Sequence, residues 1–182
     1  MHRPGEVGGS TVAKLRKMLG SVEDPAVREL MGLIETQSRT TLTRWAAAYT
    51  AEQYLPLTGG EDGRLSAAVE AVSANLRGDL TLKEAKVLLA EARKAAQEET
   101  DPVRQAAARA VSTACGTLTT PTNALGFAFY GAAAWAYHTA GTEAAREEHD
   151  RLAQEELERI LTSLRRAAVP DEADPVNVNW NC

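Results

Sequence analysis

The chain has 182 residues, of which 44% are hydrophobic, and it carries 20 basic against 25 acidic side chains, a net charge of -5. This length is sufficient for one domain with a buried core. The acidic balance argues against a nucleic-acid-binding protein, which would need a basic face to displace counterions. Much of the hydrophobic fraction is alanine, which lets helices approach closely, so the composition favours an all-α fold over a sheet.

The first residues predict a flexible arm followed by a short helix. Residues 1–9 are rich in glycine and lack the apolar run of a signal peptide, so we expect a cytoplasmic protein. Ser10 is a suitable N-cap for a helix that ends at Leu19, before Gly20.

A long helix is predicted from Pro25, after the capping residue Asp24, to Leu55, where Pro56 would stop it. Its apolar residues follow the helical period, but the middle of the stripe is polar. These polar residues form either a hydrogen-bonded contact with a neighbouring helix or part of a pocket or interface. The candidate residues are Gln37, Ser38, Thr41, Trp45 and Glu52.

Three further helices have clear start or stop signals. The helix Arg64–Arg77 ends before Gly78. Thr81 and Glu84 have the spacing of a capping box and open the next helix. Asp101, followed by proline, opens the third.

The stretch Pro121–Gly141 is nearly uncharged and holds much of the aromatic content of the chain. A helix that is apolar on all sides is normally buried, so residues 122–140 predict the central helix of a bundle. Polar edges and two glycines argue against a membrane span. A last helix is predicted from a turn and cap at Gly141 and Thr142 to about Ala168. The sequence therefore predicts a single bundle of about six to seven helices over residues 10–168.

Residues 169–182 predict an extended C-terminal tail, because the proline-containing sequence PDEADPVNVNWNC cannot continue a helix. From Val176 onward apolar and polar residues alternate strictly, which is typical of an extended segment with one apolar face. Three interpretations remain open: an end that is loose or folded back onto the bundle, a peptide that docks on another protein, or a substrate of modifying enzymes. The residues concerned are Val176, Asn177, Val178, Asn179, Trp180, Asn181 and Cys182.

No motif for catalysis, metal binding or cofactor binding is present. The chain contains three histidines, and neither His138 nor His149 has a glutamate three residues before it, as a helix-borne metal site would need. Phosphate-binding loops, dinucleotide fingerprints and nucleophile elbows are absent from the sequence. Cys115 is predicted to be a small buried residue. We therefore expect no catalytic, cofactor or metal residues.

A set of helical segments of this chain forms a pattern that is also found elsewhere: Leu33-Ile34, Gln37-Ser38-Arg39, Thr41-Leu42, Trp45-Ala46, Ala51-Glu52, Leu55-Pro56, Ala67–Gly78, Ala124–Tyr130 and His149–Leu152. Together these segments resemble the bacterial Imm5-like family of helical immunity proteins. The resemblance covers roughly residues 27–160. It implies an all-helical, non-catalytic protein that binds and neutralises a toxin, and the tail lies outside it.

Two functions are therefore predicted, both with a protein partner and neither with nucleic acid or membrane. In the first, the chain is a non-enzymatic, immunity-like protein that sequesters a partner such as a toxin. In the alternative, it is a precursor or carrier of a ribosomal peptide natural product, and its folded domain presents the tail to modifying enzymes. An enzyme with a site along Gln37–Trp45 is a third, weaker interpretation.

Overall fold

The computed structural model describes residues 14–181, and this part of the chain contains helices and no strand. Within it lie seven α-helices, which confirms the predicted all-α bundle. The helices are α1 Pro25–Ile34, α2 Arg39–Gln53, α3 Arg64–Leu76, α4 Leu82–Glu98, α5 Pro102–Cys115, α6 Asn123–Ala140 and α7 Arg146–Ala167. Two short 3₁₀ turns, Leu55–Thr58 and Gly116–Leu118, follow α2 and α5.

The predicted central helix is α6, and it shares the middle of the bundle with α5. These two helices pack extensively on each other, and α6 also contacts α1, α2 and α7. Both bury alanines, among them Ala110 on α5 and Ala128 on α6, which are fully inaccessible. Such small side chains allow close approach of two helix backbones, which explains how an alanine-rich sequence forms a dense core. The helices α3 and α4 pack on each other and then against α5.

The predicted long helix is wrong in one respect: it is two helices, α1 and α2, joined at a corner. Ser38 has an extended backbone (φ -72°, ψ 157°), and its hydroxyl accepts a hydrogen bond from the Thr41 N–H, so it is the N-cap of α2. Ile34 before the corner and Leu42 after it are both fully buried. The apolar period therefore continues across the corner and conceals it.

The predicted helix from Ser10 to Leu19 is also wrong over the part that the structure describes. Residues 14–20 are not helical, and Ser10 and the predicted arm 1–9 lie outside the described residues. The backbone of this segment bonds to α6 instead of to itself. Leu19 N–H donates to the Phe129 carbonyl at 3.1 Å, and the Tyr137 hydroxyl donates to the Arg16 carbonyl at 2.6 Å.

The N-terminal capping interactions predicted for the two helices that follow α3 are present in the structure. Thr81 and Glu84 form both hydrogen bonds of the capping box, and the Asp101 side chain accepts from the Arg104 N–H at 3.0 Å. The turn predicted at Gly141 is present, with φ 83° at that residue. However, α7 begins four residues beyond Thr142, and its N-cap, Ala145, has no capping side chain.

None of the helices between residues 14 and 181 combines the length and the apolar character that a membrane crossing requires.

Candidate functional site

The polar residues predicted from the middle of the long helix lie at the corner between α1 and α2, where they contact the C-terminal tail. Gln37 is 2% exposed. Its side-chain oxygen accepts from Val169 N–H at 2.8 Å, and its amide nitrogen donates to the Val169 carbonyl at 3.1 Å. Its backbone carbonyl accepts from Val176 N–H at 2.8 Å. One side chain therefore satisfies both backbone groups of a tail residue, as a neighbouring strand would.

Ser38 and Thr41 bind a second point of the tail, the carboxylate of Glu172. The Ser38 N–H donates to this carboxylate at 2.9 Å, and the Thr41 hydroxyl donates to its other oxygen. These hydrogen bonds lower the pKa of Glu172. A carboxylate at this position also suits the positive end of the α2 dipole.

The period-two pattern of the tail is visible in its burial. Val176, Val178 and Trp180 are half-buried, whereas Asn177, Asn179 and Asn181 are exposed. The Trp180 indole N–H donates to the Glu35 carboxylate at 2.6 Å. In the structure the apolar face of the tail thus lies against its own bundle. Docking on another protein and modification of the tail stay predictions, and Cys182 lies outside the described residues.

The other two members of the predicted polar set lie apart from this corner. Trp45 is 5% exposed, donates its indole N–H to Ser163 Oγ at 2.8 Å, and packs with its ring centroid 5.1 Å from that of Phe127. Glu52 is exposed near the end of α2. An open cleft of about 620 Å³ beside the tail is lined by Gln37 but by none of Ser38, Thr41, Trp45 or Glu52. The five residues do not form one pocket.

A second polar group, absent from the predicted sites, lies between α2, α6 and α7. Its centre is Glu156 on α7, which is 1% exposed. The Tyr49 hydroxyl donates to one carboxylate oxygen at 2.5 Å, and Arg159 Nη2 donates to the other at 3.4 Å. Burial raises the pKa of Glu156 above its ordinary value. Burial and the neighbouring carboxylate together raise the pKa of Tyr49.

Tyr54 and Trp135 complete this group, which we call the acid cluster: Tyr49, Tyr54, Trp135, Glu156 and Arg159. The Tyr54 hydroxyl and the Trp135 indole nitrogen are both buried without a hydrogen-bond partner among the described residues. Burial raises the pKa of Tyr54 well above its ordinary value. The Arg159 guanidinium lies over the Trp135 ring, 4.0 Å from its centroid, in a cation–π contact.

Sequence reasoning missed Glu156 because glutamates are common along α7, but a signal was available. Position 156 lies in phase with the buried residues His149, Ala153 and Ile160 on the inward face of that helix. A carboxylate at an inward position requires a partner, and Tyr49 and Arg159 lie within reach of it. Trp135 lies on α6, the helix predicted to be buried on all sides, but it is only half-buried.

Two further residues with reactive side chains, His149 and Cys115, are buried in the bundle. His149 is buried, and its Nε2 lies 2.8 Å from the Gly141 carbonyl. Cys115 is fully buried as predicted, and burial raises the pKa of its thiol to about 12. Within residues 14–181, no three His, Cys, Asp or Glu side chains come close enough together to hold a metal ion.

Comparison with known proteins gives one family. The model of the family described as "Imm-5 like putative immunity protein" matches residues 32–162, which confirms the resemblance seen in the sequence. The match runs from the last turn of α1 to the last turns of α7, and so includes the acid cluster and the α1–α2 corner but not the tail. No curated protein and no solved structure matches the chain closely enough to count as a relative.

Proposed function

The chain belongs to the Imm-5 like immunity protein family, and we propose on this premise that it is a non-enzymatic protein that binds and neutralises a protein toxin. The family match carries the proposal, because it extends over most of the bundle. Neutralisation by binding requires a stable surface and no reacting group. A bundle whose nucleophilic thiol is buried and whose inward histidine is bonded to a backbone carbonyl suits that role.

The docked tail favours binding over the precursor alternative. A precursor has to present its C-terminal segment to modifying enzymes, whereas the bonds of Gln37 and Glu172 hold this segment against the bundle. A modifying enzyme would first have to break those bonds.

Co-expression tests the proposal. The genes that neighbour this one in the source genome are expressed one at a time, a product that stops growth is taken as the toxin, and growth is then compared with and without co-expression of the chain. We expect full-length chain and a chain ending at residue 169 both to restore growth and to co-purify with the toxin. Failure of the full-length chain to restore growth would count against the immunity function.

Intact-mass measurement of the protein from its source cells tests the alternative. A mass change confined to residues 176–182, together with loss of function in Cys182→Ala, would establish the precursor function instead. An unmodified mass leaves the immunity function in place.

A further inference from the structure

The acid cluster carries a desolvation penalty that apolar side chains at the same positions would avoid, so it is a poor way to hold helices together. A buried carboxylate loses its hydration, and replacing such a pair with well-packed apolar side chains is often neutral or stabilising. Here the cluster also leaves the Tyr54 hydroxyl and the Trp135 indole nitrogen without partners among the described residues. Its effect is to fix three side chains from different helices in one geometry at the surface.

Arg159 is the most accessible of these side chains, at 48% exposure, and it is held on two sides. The Trp135 ring supports the face of the guanidinium, and the Glu156 carboxylate accepts one long hydrogen bond from Nη2. The other guanidinium N–H groups have no acceptor among residues 14–181. A guanidinium oriented in this way presents a planar pair of donors, the geometry that matches a carboxylate.

The residue types also fit a binding surface. Tryptophan, tyrosine and arginine dominate the energetic centres of protein interfaces, and a side chain that is already ordered loses little entropy on binding. Trp135 and Tyr49 are half-buried beside Arg159. The net charge of -5 does not suit a nucleic-acid phosphate as the counterpart of Arg159.

We propose that Tyr49, Trp135 and Arg159 form the centre of the surface that binds the partner, and that Arg159 pairs there with an aspartate or glutamate side chain of the partner protein. Glu156 is a positioning residue, since it orients Tyr49 and Arg159 and does not itself reach the partner. This inference rests on the proposed function.

Photocrosslinking locates the surface. Benzoylphenylalanine replaces His138 on α6 or Thr162 on α7, both exposed and close in sequence to the proposed centre, or Lys86 on α4 as a control. Each purified variant is irradiated in lysate of the source cells and the crosslinked peptides are sequenced. We expect the same protein to be captured from positions 138 and 162 and not from 86, through a peptide that contains an acidic residue.

Substitution of Arg159 tests the chemistry on the captured protein. Arg159→Lys keeps a positive charge beside Glu156, so the fold is retained. A lysine ammonium, however, has no planar face to stack on Trp135 and cannot donate two parallel hydrogen bonds to a carboxylate. Affinity should fall roughly 30-fold, as for a residue at an energetic centre. Arg151→Lys on the same helix, where the arginine pairs with half-buried Glu148 and exposed Glu155, is the matched control and should bind normally.

The possible failures are distinct. Capture from position 86 alone, or unchanged affinity in Arg159→Lys, overturns this surface while leaving the proposed function intact. Absence of a captured protein from all three positions, together with failure to restore growth in the co-expression test, counts against the proposed function itself.

Discussion

The phenol ring of Tyr54 lies directly against the backbone of Gly131 on α6, in the space that a side chain at position 131 would fill. A Cβ added to Gly131 would overlap the hydroxyl and ring carbons of Tyr54. Tyr54 is fully buried, so its ring has no free space into which to move. This glycine is needed for close approach, since it lies within a regular helix.

Gly131→Ala should therefore destabilise the protein by about 1–3 kcal/mol, the usual cost of overpacking a core. Urea denaturation measures the free energy of unfolding. Gly32→Ala is the matched control, because Gly32 is also helical but has no atom within 4 Å of the added Cβ. It should stabilise the protein by about 0.5–1 kcal/mol. Equal effects of the two substitutions would contradict the Tyr54 contact.

The buried Glu156 makes stability depend on pH in a defined direction. Its folded-state pKa is raised, chiefly by burial. The stability that protonated Glu156 contributes to the folded state is therefore fully present below the unfolded-state pKa of about 4.3. It is lost as the pH rises through the folded-state pKa. Glu156→Gln does not titrate at this position. Relative to it, the free energy of unfolding of the wild type should fall with rising pH by about 1.4 kcal/mol for each pH unit by which the folded-state pKa exceeds the unfolded-state pKa.

The measurement is the difference in unfolding free energy between wild type and Glu156→Gln, from urea denaturation at several pH values between 4 and 8 (about one unit apart). Exposed Glu155, which pairs with Arg151, offers the control Glu155→Gln. A difference that grows in favour of the wild type as the pH rises would mean that the Arg159 pairing outweighs burial.

Gln37 should control whether the tail stays docked. Gln37→Ala removes the two side-chain hydrogen bonds to Val169, each worth about 0.5–1.5 kcal/mol. The amide of Val176, which donates to the Gln37 carbonyl, should then lose protection from hydrogen exchange by roughly ten-fold or more. Asn177→Ala alters an exposed tail side chain and should leave that protection unchanged. Undiminished protection in Gln37→Ala would show that other contacts hold the tail.

Acid should release the tail through Glu172. The hydrogen bonds from Ser38 and Thr41 lower the folded-state pKa of Glu172. The stability that these bonds contribute is therefore present above the unfolded-state pKa and is lost as the pH falls through the folded-state pKa. The hydrogen-exchange protection factor of the Val176 amide should fall over that acid range. Glu172→Gln should show weaker protection at neutral pH and little further loss in acid. An identical pH profile in the two proteins would assign the acid response to another group.

The helices that the sequence predicted well are those with local signals. The capping box at Thr81 and the aspartate–proline start at Asp101 depend on neighbours three or four residues away, so they can be read from sequence alone. The uncharged stretch that becomes α6 has no alternative to burial.

The features that sequence reasoning missed depend on contacts between distant segments. Ser38 could have continued a helix by its position in the apolar period, and it is a cap because the Gln37 and Glu172 contacts favour a corner there. Residues 14–20 are irregular because their backbone bonds to α6. Glu156 has one partner, Arg159, three residues further along its own helix and another, Tyr49, on α2. Tyr49 reaches Glu156 only because α2 packs on α7, and the sequence does not show that packing.

The bonds between Gln37 and Val169 join positions 132 residues apart, so they cannot form until both segments have been synthesised. Domains begin to fold as they emerge from the ribosome, with their N-terminal parts first. The corner between α1 and α2 therefore emerges with the Gln37 side-chain amide bonded to water, and it exchanges that water for Val169 only after α3 to α7 have followed. Completion of this corner is thus a late step in the folding of the bundle during synthesis.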